Sequence, residues 1–186
     1  MNDKNDKIII IGKAASGKDY LQKQLVSNGW IALRQYTTRP QRHNEDGDEY
    51  HFVTEEEFDR IIKNLFSVHN FKGWRYGFDI DEALLSDVMI FSPANVFDMN
   101  KSSDIKSQKL ASSSIIVYLD IDEDTRRERL SKRYVGGVED DSLERRIDAD
   151  AKDFEFFDSI DWNNTNEYVR LCNKDDVDEF LKKLLS

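Results

Sequence analysis

The chain predicts an α/β fold, a mostly parallel sheet with helices on both faces. Three observations carry that expectation. Ile8–Ile11 is an unbroken run of isoleucine, and a β-branched run with no polar alternation is a strand buried on both faces, as in a parallel sheet. Asp87–Phe91 and Ser114–Leu119 are two further short apolar runs of the same kind. Helical spacings separate them, which is the order a parallel sheet requires. At 186 residues the chain has the length of one compact domain with its own core.

The elements follow in order. Met1–Lys7 is polar and expected to fray. Gly12–Lys18 is a glycine-rich turn. The helix after it carries Tyr20, Leu21 and Leu25 and stops at Asn28-Gly29, a C-cap pair. Trp30–Leu33 reads as a second short strand. Gln35–Glu49 is polar and arginine-rich, with an Asp46-Gly47 turn signal. Thr54 and Glu57 make a capping box that starts a helix from Glu55 to about Asn64. Phe66–Phe71 and Trp74–Phe78 pair as a hairpin across Lys72-Gly73. Asp122–Arg133 is a charged helix. Leu143, Ile147, Ala151 and Phe154 share one face of another. The last helix runs from about Asp175 to Leu185.

Composition narrows the function classes. Lys and Arg total 27 against 37 Asp and Glu, a net charge of −10. That field repels phosphate backbones and anionic lipid, so nucleic acid and membrane surfaces are poor partners. Mean hydropathy is −0.69, and no apolar run approaches the ~20 residues of a spanning helix. The single cysteine, Cys172, forbids an internal disulfide and fits a reducing, cytoplasmic setting; it is expected as a packed small residue. Trp30, Trp74 and Trp162 are expected in the core. His43, His51 and His69 do not cluster, so no structural zinc is expected.

Gly12-Lys13-Ala14-Ala15-Ser16-Gly17-Lys18 fits G-x-x-x-x-G-K between a buried strand and a helix. The two glycines let successive N–H groups turn toward one phosphate chain, and the helix N-terminus adds partial positive charge. Lys18 is placed to follow the charge that develops on a transferring phosphoryl group. The fold class is thus a P-loop NTPase-type parallel sheet flanked by helices, and ATP is the expected donor on residues 12 to 19. Asp19 follows the lysine. Its carboxylate is a hard oxygen ligand for Mg²⁺, and equally an acid favoured by the helix dipole; the sequence leaves both open.

Arg39 and Arg42, three apart and near Tyr50, are two guanidinium forks suited to a monophosphate dianion. Together with Glu45, Asp46 and Asp48 they can equally form a solvated, self-paired loop. Here the sequence resembles guanylate kinases. Thr37-Thr38-Arg39, Arg42, Glu45, Gly47, Tyr50 and Phe52 fill that family's acceptor signature, one residue short between Glu45 and Gly47. Tyr76-Gly77 resembles the pair after its nucleotide-binding hairpin. Arg129, Arg133 and Arg146 resemble its lid arginines. The resemblance implies an inserted nucleotide-acceptor subdomain over residues 35–85 and a helical lid over 126–149, on a core of 1–34, 86–125 and 150–186. It implies that Arg39, Arg42, Tyr50 and Tyr76 hold the acceptor phosphate, while Lys18, Arg129, Arg133 and Arg146 serve the transfer. On an exposed helix those arginines can instead make i,i+4 ion pairs.

The base-reading positions depart from the family. Its hairpin carboxylate falls on Ser67, or on Val68 with a gap. Ser92 and Ala94 stand where it has acids, and Gln35 stands where it has serine. A serine cannot accept two hydrogen bonds from guanine as a carboxylate does. Gln35, Ser67, Asn70, Ser92 and Asn95 are therefore candidate readers of a changed or relaxed base. The expected activity is Mg²⁺-dependent transfer of the γ-phosphoryl group of ATP to a nucleoside monophosphate, with GMP the leading acceptor. The alternatives are another base or a deoxynucleotide, a non-nucleotide phosphate, or a non-catalytic binding module of the same fold.

Overall fold

The computed structural model describes residues 6–41, 45, 47–71, 73–133, 143–157, 160 and 162–185, without the side chains of 133, 143–146 and 163. Four strands form the main sheet: β1 (Lys7–Gly12), β6 (Val88–Ile90), β7 (Ser114–Leu119) and β8 (Glu167–Leu171), in the order β6-β1-β7-β8. Every neighbouring pair is parallel, as the uninterrupted apolar runs predict. Alternation along β1 explains why all four isoleucines vanish from the surface. Ile8 and Ile10 pack with Leu21 and Leu25 of α1 (Lys18–Ser27) and with Val177 and Leu181 of α8 (Lys174–Leu184). Ile9 and Ile11 face the opposite layer, among Met89, Val96, Met99 and Leu110. Each such side chain removed from water contributes roughly 1.5–3 kcal/mol.

A smaller mixed sheet lies beside the first, in the order β3-β2-β5-β4. Its strands are β2 (Gln35–Thr37), β3 (Tyr50–Phe52), β4 (Leu65–Phe71) and β5 (Trp74–Asp79), with α2 (Glu55–Ile61) between β3 and β4. Thr54 and Glu57 form the expected capping box, and a 3₁₀ turn carries the chain on to Asn64. The polar stretch after position 34 therefore begins and ends in strands, β2 parallel to β3. Phe78 stacks on Phe91 at a centroid distance of 4.7 Å and meets the tilted ring of Phe66 at 5.5 Å, which joins this sheet to the main core.

The hairpin forms as expected, Phe71 opposite Trp74, but its register shifts between Phe66 and His69. Before the shift Phe66 faces Phe78; after it His69 faces Tyr76. One extra residue sits in β4, a β-bulge, and Ser67 carries it at φ 52°.

Several expectations are corrected. Trp30–Leu33 is not a strand: a single bridge, Ala32 to Val88, pairs it with β6. The Ile31 N–H goes to the Asp87 carboxylate at 2.8 Å instead of to a neighbouring strand, which ends the ladder. Lys7 is held within β1, its ammonium 2.6 Å from the Ser86 carbonyl. Three helices were not anticipated: α3 (Ile80–Leu85), α4 (Pro93–Lys101) and α5 (Ile105–Ser112). The capping box that starts α4 pairs Ser92 with Asn95, outside the usual Glu or Gln signal. The edge strand β8 was also missed, because its outward residues are polar. Cys172 is exposed just beyond β8. Trp30, Trp74 and Trp162 are half-buried at the margins of the packing. The charged helix is α6 (Glu123–Arg133), and the apolar stripe falls on α7 (Leu143–Asp153).

Candidate active site

The glycine loop leaves the end of β1. A Cβ on Gly12 would lie 2.4 Å from Ser16 Oγ and 3.0 Å from the Leu119 carbonyl, so only glycine fits. Gly17 caps α1 at φ 105°, a conformation that side chains oppose. Ser16 Oγ is buried with no hydrogen-bond partner among the described residues. The Lys18 ammonium curls back to donate to the Gly12 and Lys13 carbonyls at 2.5 and 3.1 Å.

Two further groups reach this loop from far along the chain. Arg129 donates from Nη1 to the Ala15 and Ser16 carbonyls at 3.1 and 3.3 Å. Its neighbours Arg127 and Lys132 make i,i+4 ion pairs, whereas the Arg129 fork is turned to the loop. The Ala14 N–H donates to both oxygens of the Asp150 carboxylate, each at 3.0 Å. Arg126 Nη1 completes the contact at 3.1 Å from Asp150 Oδ2. Neither Arg126 nor Asp150 falls in a motif. The available signal was an acid at 150 on the helix stripe of Ile147, Ala151 and Phe154. Asp19 is exposed on the first turn of α1.

Arg39 is buried, and its Nη2 donates to Glu45 Oε1 at 2.7 Å. Its guanidinium carbon lies 5.4 and 5.3 Å from the Tyr50 and Phe52 ring centres. Burial works against its charge, but the hydrogen bond and charge of Glu45 hold its pKa above the ordinary value. The Tyr50 hydroxyl is pushed up to about 12 by burial, with Tyr76 adding to the rise and Arg39 opposing it. The Tyr50 and Tyr76 rings meet edge to face at 6.1 Å. Arg42 and the side chains of Arg133 and Arg146 lie outside the described residues.

A cavity of about 510 Å³ joins these parts. Gly12, Ala14 and Lys18 form one end of its wall; Tyr50, Tyr76, Gln35, Ser92 and Asn95 form others, and α7 supplies Asp150 and Asp153. The Asp153 carboxyl is raised above its usual range by desolvation and by the Asp150 charge, with His69 and Lys18 pulling the other way. Gln35 Nε2 donates to the Ile90 carbonyl at 2.7 Å. Ser67 is not among the described lining residues; His69, Asn70 and Phe71 are.

A parallel sheet with a glycine loop at the end of its central strand, faced by a smaller mixed sheet across one cavity, is a P-loop fold of the nucleotide-kinase type. The family model for guanylate kinase matches residues 4–186. A guanylate kinase of Prochlorococcus marinus (strain MIT 9312) is 23% identical over 190 residues, covering 100% of this chain and 97% of the relative. The crystal structure of a guanylate kinase from Anaplasma phagocytophilum superposes with a TM-score of 0.60 at 16% identity, covering 98% of this chain and 84% of the other. A deoxyadenosine kinase from M. mycoides with bound dCTP reaches 0.48 at 14% identity, over 96% and 98%. The chain belongs to the guanylate kinase family. No helix among the described residues is long and apolar enough to cross a membrane.

Proposed function

We propose that the chain transfers the γ-phosphoryl group of ATP to a nucleoside monophosphate. The observation that carries this reading is that the Lys18 loop and the Tyr50–Tyr76 pair beside Arg39 open onto one cavity. A donor phosphate chain on the first and an acceptor phosphate near the second would put the reacting groups in one enclosed space. In the reaction an oxygen of the acceptor phosphate forms a bond to the γ-phosphorus and the bridging β–γ bond breaks, releasing ADP. The acceptor oxygen is already anionic, so no general base is needed; positioning and positive charge supply the catalysis. Lys18 and Arg129 would meet the phosphates at the loop, with Arg133 and Arg146 closing from the lid segment. Arg39, Arg42, Tyr50 and Tyr76 would hold the acceptor.

Mg²⁺ is bound by one or two carboxylates plus substrate phosphates in sites of this kind. The exposed carboxylate of Asp19, beside Lys18, fits that donor set. When bound, the ion neutralises charge on the transferred group.

GMP is the leading acceptor by family membership. A second reading, a different or relaxed base, is favoured by the neutral residues Ser67, Ser92 and Ala94 at the positions of the family's acids. The test is ADP production from ATP and Mg²⁺ across GMP, AMP, CMP, UMP and their deoxy forms, with Lys18→Ala as the blank. Lys18-dependent turnover with at least one acceptor is expected. Its absence with all of them would overturn the nucleotide-kinase reading in favour of a binding module or a non-nucleotide phosphate acceptor.

A further inference from the structure

The bulge in β4 changes which residue of the hairpin meets the acceptor side of the cavity. Continuing the register of Phe66 opposite Phe78 would put Val68 opposite Tyr76. The extra residue puts His69 there instead. Directly opposed residues on an antiparallel pair share a face, and both His69 and Tyr76 line the cavity. Bulges beside active sites commonly re-aim one side chain. This one is bought with a left-handed backbone at a serine, φ 52° at Ser67, a conformation that persists only where its surroundings hold it.

The surroundings are a closed hydrogen-bond network. Ser67 Oγ donates to Asp98 Oδ2 at 2.9 Å and lies 2.8 Å from His69 Nε2. His69 Nε2 lies 3.0 Å from the same Asp98 oxygen. Asn95 Nδ2 donates to Ser67 Oγ at 2.9 Å, and Asn95 Oδ1 accepts from the Ser92 hydroxyl and N–H at 2.8 and 2.9 Å. Three of the candidate base readers, Ser67, Ser92 and Asn95, are thus engaged with one another. What they hold is the imidazole. A carboxylate only accepts, and the serine hydrogen is committed to it, so the network assigns the ring proton to Nε2. With Nε2 so engaged, Nδ1 is the ring nitrogen left to meet a ligand.

Resting on the acceptor reading above, we infer that His69 is the specificity-determining residue for the acceptor base, with Ser67 and Asp98 positioning it. An imidazole stands on an otherwise amide-rich wall, beside Gln35, Asn70 and Asn95. Through Nδ1 it makes one hydrogen bond to the base edge, where a carboxylate accepts two.

The test is calorimetric binding of GMP, AMP, CMP and UMP to the whole chain, and separately of ADP, for the unaltered protein, H69A, H69Q and D98N. H69A is expected to weaken the tightest monophosphate about tenfold or more and to compress the ranking of the four. Its affinity for ADP should stay within about twofold, well below the tenfold that 1.4 kcal/mol produces. D98N should change the ranking in the same direction by less, because the ring is released but present. H69Q, which keeps the size and one acceptor, decides the matter if H69A does not fold: an altered ranking supports the role. An unchanged ranking in H69A or H69Q, or an equal loss of ADP binding, would overturn it. Binding of monophosphates without turnover would overturn the kinase reading alone. No binding of any monophosphate to the unaltered protein would overturn both.

Discussion

Lys18 and Tyr50 line the same cavity and Arg39 lies against the Tyr50 ring, yet a substitution at each asks a different question. Lys18 donates to the Gly12 and Lys13 carbonyls of its own loop, and its charge faces the cavity. Lys18→Ala should lower kcat by about 100-fold or more, as removal of a charge aimed at the transition state does, while melting temperature moves little. A loss of turnover matched by unfolding would contradict that. Arg39 is a buried charge paired with Glu45, and truncating one partner leaves the other uncompensated. Arg39→Ala should therefore cost about 3–5 kcal/mol in urea unfolding, in addition to any effect on the acceptor KM. Tyr50 supplies a pH test. Its hydroxyl keeps the proton to about 12 in the folded state, whereas an unfolded tyrosine releases it near about 10. Between those values the folded state binds more protons. The stabilisation is complete below the lower value and is lost as pH rises through the upper one. Tm should fall across that window, and Tyr50→Phe should make the fall shallower.

At the scale of elements, α7 is tied to the phosphate loop by one carboxylate. Asp150 accepts from the Ala14 N–H and from Arg126, whose side chain is 5% exposed. Asp150→Ala takes the carboxylate away from the buried Arg126 guanidinium, which keeps its Nε bond to the Ile121 carbonyl, and a loss of about 3–5 kcal/mol is expected. Asp150→Asn keeps an acceptor for the N–H and removes the charge, so it should lose less. Hydrogen exchange would report the same event locally, with faster exchange in α7 and at Ala14 than in β1 or β7. Equal protection in both variants would remove the tie. The capping box of α2 is simpler in its consequence: Thr54 accepts from the Glu57 N–H and Glu57 from the Thr54 N–H. Thr54→Ala should cost about 0.5–2 kcal/mol, read as a shifted urea midpoint with an unchanged slope.

At the scale of the whole molecule, the two sheets share one packed interior. The Phe66–Phe78–Phe91 stack runs from the hairpin into the layer under β1. Unfolding followed by tryptophan fluorescence of the Trp30→Phe, Trp162→Phe double variant, which leaves Trp74 in the small sheet, should coincide with far-UV circular dichroism. Two separated transitions would show that the sheets unfold independently. Ile10, fully buried in the central strand, offers no room for collapse; Ile10→Ala should destabilise by about 2–5 kcal/mol and shift both probes together.

The residue order by itself determined three of the four strands of the main sheet, the loop and most helices around them. Ile8–Ile11 and Ser114–Leu119 are apolar on both faces, which only a doubly covered strand accommodates, and Gly12 and Gly17 are glycines at positions where a side chain would clash or strain. Those signals are local, so they are legible. The family resemblance likewise singles out Tyr50 and Tyr76, which line one cavity with Gly12 and Lys18. Tertiary structure decided what depends on register and on contacts between distant segments. Trp30–Leu33 has strand-like residues, but a carboxylate from Asp87 takes the N–H that a ladder would use. Asp150 meets Ala14 across 136 positions, a contact that no spacing encodes. Continuing the pairing of Phe66 with Phe78 would set Val68 opposite Tyr76, whereas one extra residue in β4 sets His69 there. A bulge changes pairing without leaving a composition signal, so only the folded sheet shows which side chain faces the cavity.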